Sequence, residues 1–399
     1  MTAPNGPILF NNVEGSDSAA SGLGPATAVT GTFDVTSGSN TLSNGVTSSG
    51  NIFDIAVGDL IYVDTSSGRK FSIIQGINLT LGEFYTDDNW DVTETGRNWA
   101  VGGKRATLEN SQSLWENGNH IPRSTLELET DQTLSTYVLS YIGIGHTIRS
   151  SVKGLKRVIT IGGSFFARGG TWRCEDIHFK STSGGKLGQA DTGVQDSSFV
   201  LYDCIVGDPT NPLSTIMGAA SRTAYITARR TLFQDFTSTI FSQTVTDLKF
   251  CFLTGTPTTA VYYGNSTGSF SHAAQYCVFK DFLNFSYQRR SQATKIEHCI
   301  IAGITGYLFG WQDYPPGWVT ENIFYNNSGT AFSNIGGNAW NPESFRENIY
   351  YGTTVPPEEI DGITLTADPF VDAASGDFRL NNTIGGGAIL RDTKYRYSS

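Results

Sequence analysis

A short unit returns eight times along this chain, in the pattern apolar–x–x–ladder–x–apolar. It fits Cys174 to Phe179, Leu201 to Val206, Ala228 to Phe233, Leu248 to Leu253, Ala274 to Phe279, Ile296 to Ile301, Val319 to Phe324 and Phe345 to Tyr350. The ladder position is filled in turn by Ile177, Cys204, Thr231, Cys251, Cys277, Cys299, Asn322 and Asn348, 20 to 27 residues apart. A unit this short cannot bury its apolar side alone, so copies must stack on one another. The period leaves a leucine-rich horseshoe or a β-solenoid. The horseshoe needs several leucines and an asparagine at fixed offsets. These units are rich in Ile, Val, Phe, Thr and Tyr instead, and their coil length varies. A parallel β-helix tolerates such variation, because turns between its short strands bulge outward.

Composition agrees with an all-β chain. Of 399 residues 45 are Gly, only 16% are charged, and good helical patterns are hard to find. Four regions are expected. Residues 1–31 read as an extended acidic arm, either disordered or laid over a neighbouring subunit. Residues 32–133 read as a smaller antiparallel β domain, since "FDVTSGSNTL", "DLIYVDTSSGRKFSII" and "INLTLGEFYT" alternate apolar and polar residues between turns. The solenoid spans 134–390, at about 24 residues per coil, and 391–399 form a tail. The "GGKR" ending at Arg105 is a turn rather than a phosphate loop: Asn98 and Arg105 stand where that motif needs Gly and Ser or Thr.

A net charge of −10 argues against binding nucleic acid through phosphates. Neither a basic-then-apolar secretory signal nor a run of 18 apolar residues is seen, so secretion and membrane insertion are not expected. The five histidines lack metal-ligand spacing such as HExxH.

The repeats resemble those of right-handed parallel β-helix proteins of the pectate-lyase-like superfamily, over about residues 150–390. The family's asparagine ladders sit at a tight turn between two strands, which is the place this implies for Asn322 and Asn348. The closing stretch "DPFVDAASGDFRLNNTIGGGAI", Asp368 to Ile389, is similar to the last coil of many bacterial and viral members. Stacking then places Cys251, Cys277 and Cys299 in one inward column, with Cys204 one coil beyond Thr231. Buried thiols behave as small hydrophobes, and residues in a column project in parallel rather than converging as zinc requires. A structural ladder of free thiols is expected, with no metal and no cofactor.

Two outer columns follow. The residues before the ladder are Asp176, Asp203, Arg230, Phe250, Tyr276, His298, Glu321 and Glu347. Among them Glu321, Glu347 and His298 are the candidates for acid–base chemistry or cation binding, against the alternative of a solvated charge stripe. The residues after the ladder, Ile205, Leu232, Phe252, Val278, Ile300, Ile323 and Ile349, form an apolar stripe ~30 Å long at ~4.8 Å per coil. A soluble monomer seldom leaves such a stripe bare. Either a segment of the same chain covers it, or it is a subunit interface. Trp311, Tyr314 and Trp318, in an insertion within one coil, are candidate sugar-stacking residues, or anchors that hold their loop on the coil wall.

The family's polygalacturonase and pectate-lyase signatures are absent. The chain looks like a structural virion protein of a tailed bacteriophage, assembled in the host cytoplasm. The resemblance implies a homotrimeric capsid decoration, head-fibre or tailspike-like attachment protein, docked to other virion proteins by its N-terminal region and open to contact with cell-surface glycan. The alternative is a polysaccharide lyase or glycoside hydrolase working in a groove beside Glu321 and Glu347.

Overall fold

A computed structural model of the chain describes residues 8–11, 28–57, 59–101, 125–134, 137–139, 146–167, 170–182, 184–189, 197–217, 224–242, 244–256, 258–264, 270–288, 291–311, 317–329, 332–334 and 344–392. It is a parallel β-helix preceded by a small β-barrel. Three parallel sheets of 11, 9 and 11 strands form the walls, and each full coil gives one strand to each wall. The first sheet runs from Ile8–Asn11, which lies beside Thr125–Leu128, to Phe345–Arg346. The second runs from Tyr137–Leu139 to Phe332–Asn334, and the third from Gln132–Leu134 to Ile363–Thr364. Solenoid strands therefore begin at Thr125, ahead of the boundary expected at 134.

Strand alternation decides what enters the bore. In Ser197–Tyr202, Phe199 and Leu201 are fully buried, while Ser198, Val200 and Tyr202 face outward. The register then stacks like on like. Leu201 pairs with Cys174 on one side and Ala228 on the other. Aromatic side chains fill the bore in contact within and between coils, as in Phe279–Phe285 at 4.9 Å and Phe285–Phe309 at 5.2 Å between centroids. Each fully buried ring contributes roughly 1.5–3 kcal/mol.

The turn from the first sheet to the third is where the repeat has its sharpest constraint. All eight residues that precede the ladder have left-handed backbone, with φ from 50° at Arg230 to 56° at Glu347. None is glycine, so each costs on the order of 1–2 kcal/mol. Coil-to-coil hydrogen bonds hold them there: Asp203 N–H donates to Arg229 O, His298 N–H to Thr320 O, and Glu321 N–H to Arg346 O.

The N-terminal domain is a closed antiparallel barrel of six strands, from Val29–Val35 to Glu94–Val101. Phe33, Phe84 and Trp99 form its aromatic centre at 4.9–5.6 Å. Gly45 is required there, because a Cβ would fall 2.1 Å from the Phe33 ring. Ile73 of the barrel packs against the solenoid core. Within the arm expected over 1–31, Ile8–Asn11 is a strand paired in parallel with Thr125–Leu128 of the same chain. It gives the first coil's edge a hydrogen-bonding partner.

The closing stretch does not form a last coil. Phe370–Asp372 and Asp377–Leu380 make an antiparallel pair, reversed by a 3-10 turn that ends at Gly376 with φ 87°. A short helix, Gly387–Asp392, follows. The whole segment folds back over the outer face of the third sheet, because its apolar side chains match the apolar stripe there. Leu365, Phe370, Ala373 and Leu390 bury Ile323 and Ile349 completely.

Candidate functional site

The ladder residues stand in register from coil to coil. The residues just after Cys204, Thr231, Cys251, Cys277, Cys299, Asn322 and Asn348 are paired one-to-one through the third sheet. The ladder is a chain of hydrogen bonds between coils. Cys299 N–H donates to Asn322 Oδ1 at 2.9 Å, Asn322 N–H to Asn348 Oδ1 at 2.9 Å, and Asn348 N–H to Glu359 Oε1 at 2.9 Å. Further back, Cys204 N–H reaches Thr231 Oγ1 at 3.4 Å and Cys251 N–H reaches Cys277 Sγ at 3.5 Å. The thiols thus take the asparagine's place with weaker geometry.

Glu359 ends the ladder by also accepting from Asn348 Nδ2 and the Tyr350 hydroxyl. Burial, then the adjacent carboxylate, pushes the Tyr350 phenol well above its ordinary range.

All five cysteines are free and buried. Burial pushes the Cys204 thiol up to about 12 and holds the Cys174 and Cys277 thiols well above the usual range. A thiol that stays protonated neither attacks nor binds metal. No group of three or more His, Cys, Asp or Glu suited to a metal ion occurs among the described residues.

The column before the ladder is a continuous outer ridge. Arg230 holds Asp203 through two bonds of 2.8 and 2.7 Å. Phe250 stacks on Tyr276 at 5.2 Å and 9°, and Tyr276 on His298 at 4.9 Å and 3°. His298 Nδ1 then meets Glu321 Oε2 at 3.0 Å, with both side chains one-third exposed. Glu347 stands one coil further on. The left-handed corner aims all of these outward. His298 and Glu321 are brought together as an imidazole–carboxylate pair. Ring faces within the stack cover one another, which leaves their edges to solvent.

The column after the ladder is divided in two. Its C-terminal end lies under the chain's own closing segment. Tyr325 Oη donates to Asp368 Oδ2 at 2.6 Å and anchors the cover, which reaches as far as Phe252 through Phe378 at 6.4 Å. Ile205 and Leu232 lie further back and are half-buried. Both alternatives posed by the stripe therefore have room: the same chain covers Ile323 and Ile349, and a shorter apolar run remains.

Trp318 is half exposed, on the outer face of the first sheet beside Lys295. That face also carries ion pairs, Arg229–Asp247 at 2.6 Å and Lys295–Glu297 at 3.1 Å, and a second exposed ring at Tyr225. Trp311 occupies a strand of the second sheet, its side chain outside the described residues, and Tyr314 and Lys104 lie outside them altogether.

A second inward ladder escaped the sequence reading. Ile304 N–H donates to Asn327 Oδ1 at 2.8 Å, and Asn327 N–H donates to Thr353 Oγ1 at 3.0 Å. The signal was present, since Ile304, Asn327 and Thr353 each follow a ladder residue by the same offset.

No family model matches the chain, and no curated protein matches it. Among solved structures it is similar to the tailspike gp61 of Pseudomonas phage phi297, at 10% identity and a TM-score of 0.19. The match covers 81% of this chain and 62% of that one, so this chain spans less than two thirds of that tailspike. The fold assignment rests on the strand pairing itself. No helix among the described residues is long and apolar enough to cross a membrane.

Proposed function

We propose that this chain is a structural virion protein of a tailed bacteriophage, a homotrimeric capsid-decoration, head-fibre or tailspike-like attachment protein. The observation that carries the reading is the apolar run the closing segment leaves open. Ile205 and Leu232 are half-buried there, and Phe250 and Tyr276 stand 57% and 45% exposed on the adjoining ridge. A long rigid body with one such stripe is suited to side-by-side association about a threefold axis. The barrel, with Val46, Phe53 and Leu81 exposed, is assigned the docking to other virion proteins. Trp318, half exposed beside Lys295, is the residue assigned to contact with a cell-surface glycan.

Mass measurement during gel filtration tests the assembly. A trimer is expected, reduced to monomer by Leu232→Arg. A wild-type monomer at micromolar concentration contradicts it. A second reading, an enzyme acting on polysaccharide beside the ridge, draws on the His298–Glu321 pair. It requires cleavage of an acidic polysaccharide that Glu321→Gln and Glu347→Gln abolish, and under the structural reading no such cleavage is seen.

A further inference from the structure

Three Asn–Gly pairs occur in the chain, Asn5–Gly6, Asn44–Gly45 and Asn117–Gly118, and the middle one lies among the described residues. In such a pair no side chain shields the glycine nitrogen, which is free to attack the asparagine's Cγ. Asn44 and Gly45 stand in the barrel where the pairing of Val29–Val35 with Thr41–Ser49 slips. Thr32 opposes Val46 and Asp34 opposes Ser43, so Phe33 faces both residues of the pair across a bulge. Asn44 is exposed, with left-handed backbone at φ 53°, a conformation asparagine tolerates.

The fold holds both reacting groups. Gly45 N–H donates to Gly82 O at 2.9 Å, which engages the nucleophile. Asn44 Nδ2 donates to Asp34 Oδ2 at 2.8 Å, and Gly96 N–H donates to Asp34 Oδ1 at 2.8 Å. These two donors hold the Asp34 carboxyl below its ordinary range. The space around Gly45 is full. A Cβ there would lie 2.1 Å from Phe33 Cε1 and 2.9 Å from Gly82 O, and the Phe33 ring is itself packed against Phe84 and Trp99.

We propose that Asn44–Gly45 is a deamidation site which the folded barrel keeps closed, and whose isoaspartyl product does not fit the closed barrel. In the reaction Gly45 N loses its proton and bonds to Asn44 Cγ, the Cγ–Nδ2 bond breaks, and ammonia leaves. Water then opens the five-membered ring. Opening between Cγ and the nitrogen gives aspartate, which sets a second carboxylate against Asp34. Opening at the Asn44 backbone carbonyl gives isoaspartate, whose main chain runs through Cβ and Cγ and is one carbon longer. A bulge too tight for a single Cβ beside Phe33 has no room for that carbon. The barrel must open for Gly45 N to leave Gly82 O, and the lengthened chain does not close it again.

Peptide mapping by mass spectrometry tests this on the full wild-type chain, aged at mildly alkaline pH with and without urea. In urea all three pairs are expected to convert. In native buffer Asn44 should convert about tenfold or more slowly than in urea, because conversion waits on local opening. Native conversion at the urea rate overturns the proposal, and so does an Asn44 that survives in urea while Asn5 and Asn117 convert. Brief limited proteolysis of the native sample, aged until conversion at Asn44 is measurable, tests the fate of the product. Cuts within residues 28–101 should fall first on isoaspartyl chains. An isoaspartate content at residue 44 that is equal in cut and uncut chains overturns the misfit.

Discussion

Replacing Asn322 by alanine removes the side chain on which the strong half of the ladder turns. Its amide accepts from Cys299 N–H at 2.9 Å and donates to Ile296 O at 2.9 Å and to Asn348 Oδ1 at 3.1 Å. The site is fully buried, so water does not replace these bonds freely. Each stranded backbone group costs about 1–3 kcal/mol. With Cys299 N–H and Ile296 C=O both affected, the expected loss is about 3–5 kcal/mol. Cys277→Ala is the control. Cys277 Sγ accepts from Cys251 N–H at 3.5 Å and donates to Gln275 O at 3.3 Å, and sulfur bonds weakly. Its loss is expected at about 1–2 kcal/mol. Urea unfolding followed by tryptophan fluorescence compares the midpoints, provided the slopes agree. Native-state hydrogen exchange at the Cys299 amide locates the effect, and it should quicken in Asn322→Ala. The ladder account fails if Asn322→Ala lies within about 1 kcal/mol of the wild type, or costs no more than Cys277→Ala.

The thiols offer a simple check: Ellman's reagent should find none of the five in the native protein and all five after unfolding, and one fast-reacting thiol would break the buried-column reading. His272 should make the fold acid-sensitive. Burial lowers its pKa from 6.5 to about 3, so its contribution is fully present above pH 6.5 and is lost as pH falls toward 3. At pH 5 the loss is about 2 kcal/mol, and an equal acid response in His272→Gln would refute the assignment. Phe370→Ala should loosen the closing segment and leave the solenoid folded, because Phe370 packs on Tyr325 at 5.1 Å and Phe378 at 5.0 Å. Limited proteolysis should then cut between residues 365 and 392. Unchanged resistance would mean the cover is held elsewhere.

The solenoid was legible because its inward residues recur. Small or amide side chains at every ladder position after Ile177, each followed at the next-but-one position by Val, Ile, Leu, Phe or Tyr, mark both the sheet and its register. The ridge was legible only as a column. Nothing in Phe250, Tyr276 or Glu347 signals left-handed backbone, which the corner imposes through coil-to-coil bonds on residues that would not choose it alone. The pairing of His298 with Glu321, and the ring stack beneath it, follow from that corner. The closing segment misled for a different reason. Its "DPFVDAASGDFRL" alternates like a coil strand, but Gly376 reverses the chain. What it covers, Ile323 and Ile349, is visible only once the outward stripe has a position in space. The stripe itself was readable from spacing, while the point at which the cover ends, near Phe252, was not.

The central claim is that this chain is a building part of a phage particle. Quantitative mass spectrometry of phage particles purified from a lysate in which the chain is expressed from its own genome tests this directly. The account predicts peptides of this chain among those of the particle's other structural proteins, in stoichiometric amount. Particles that lack the chain, purified from lysates that contain it, would contradict it.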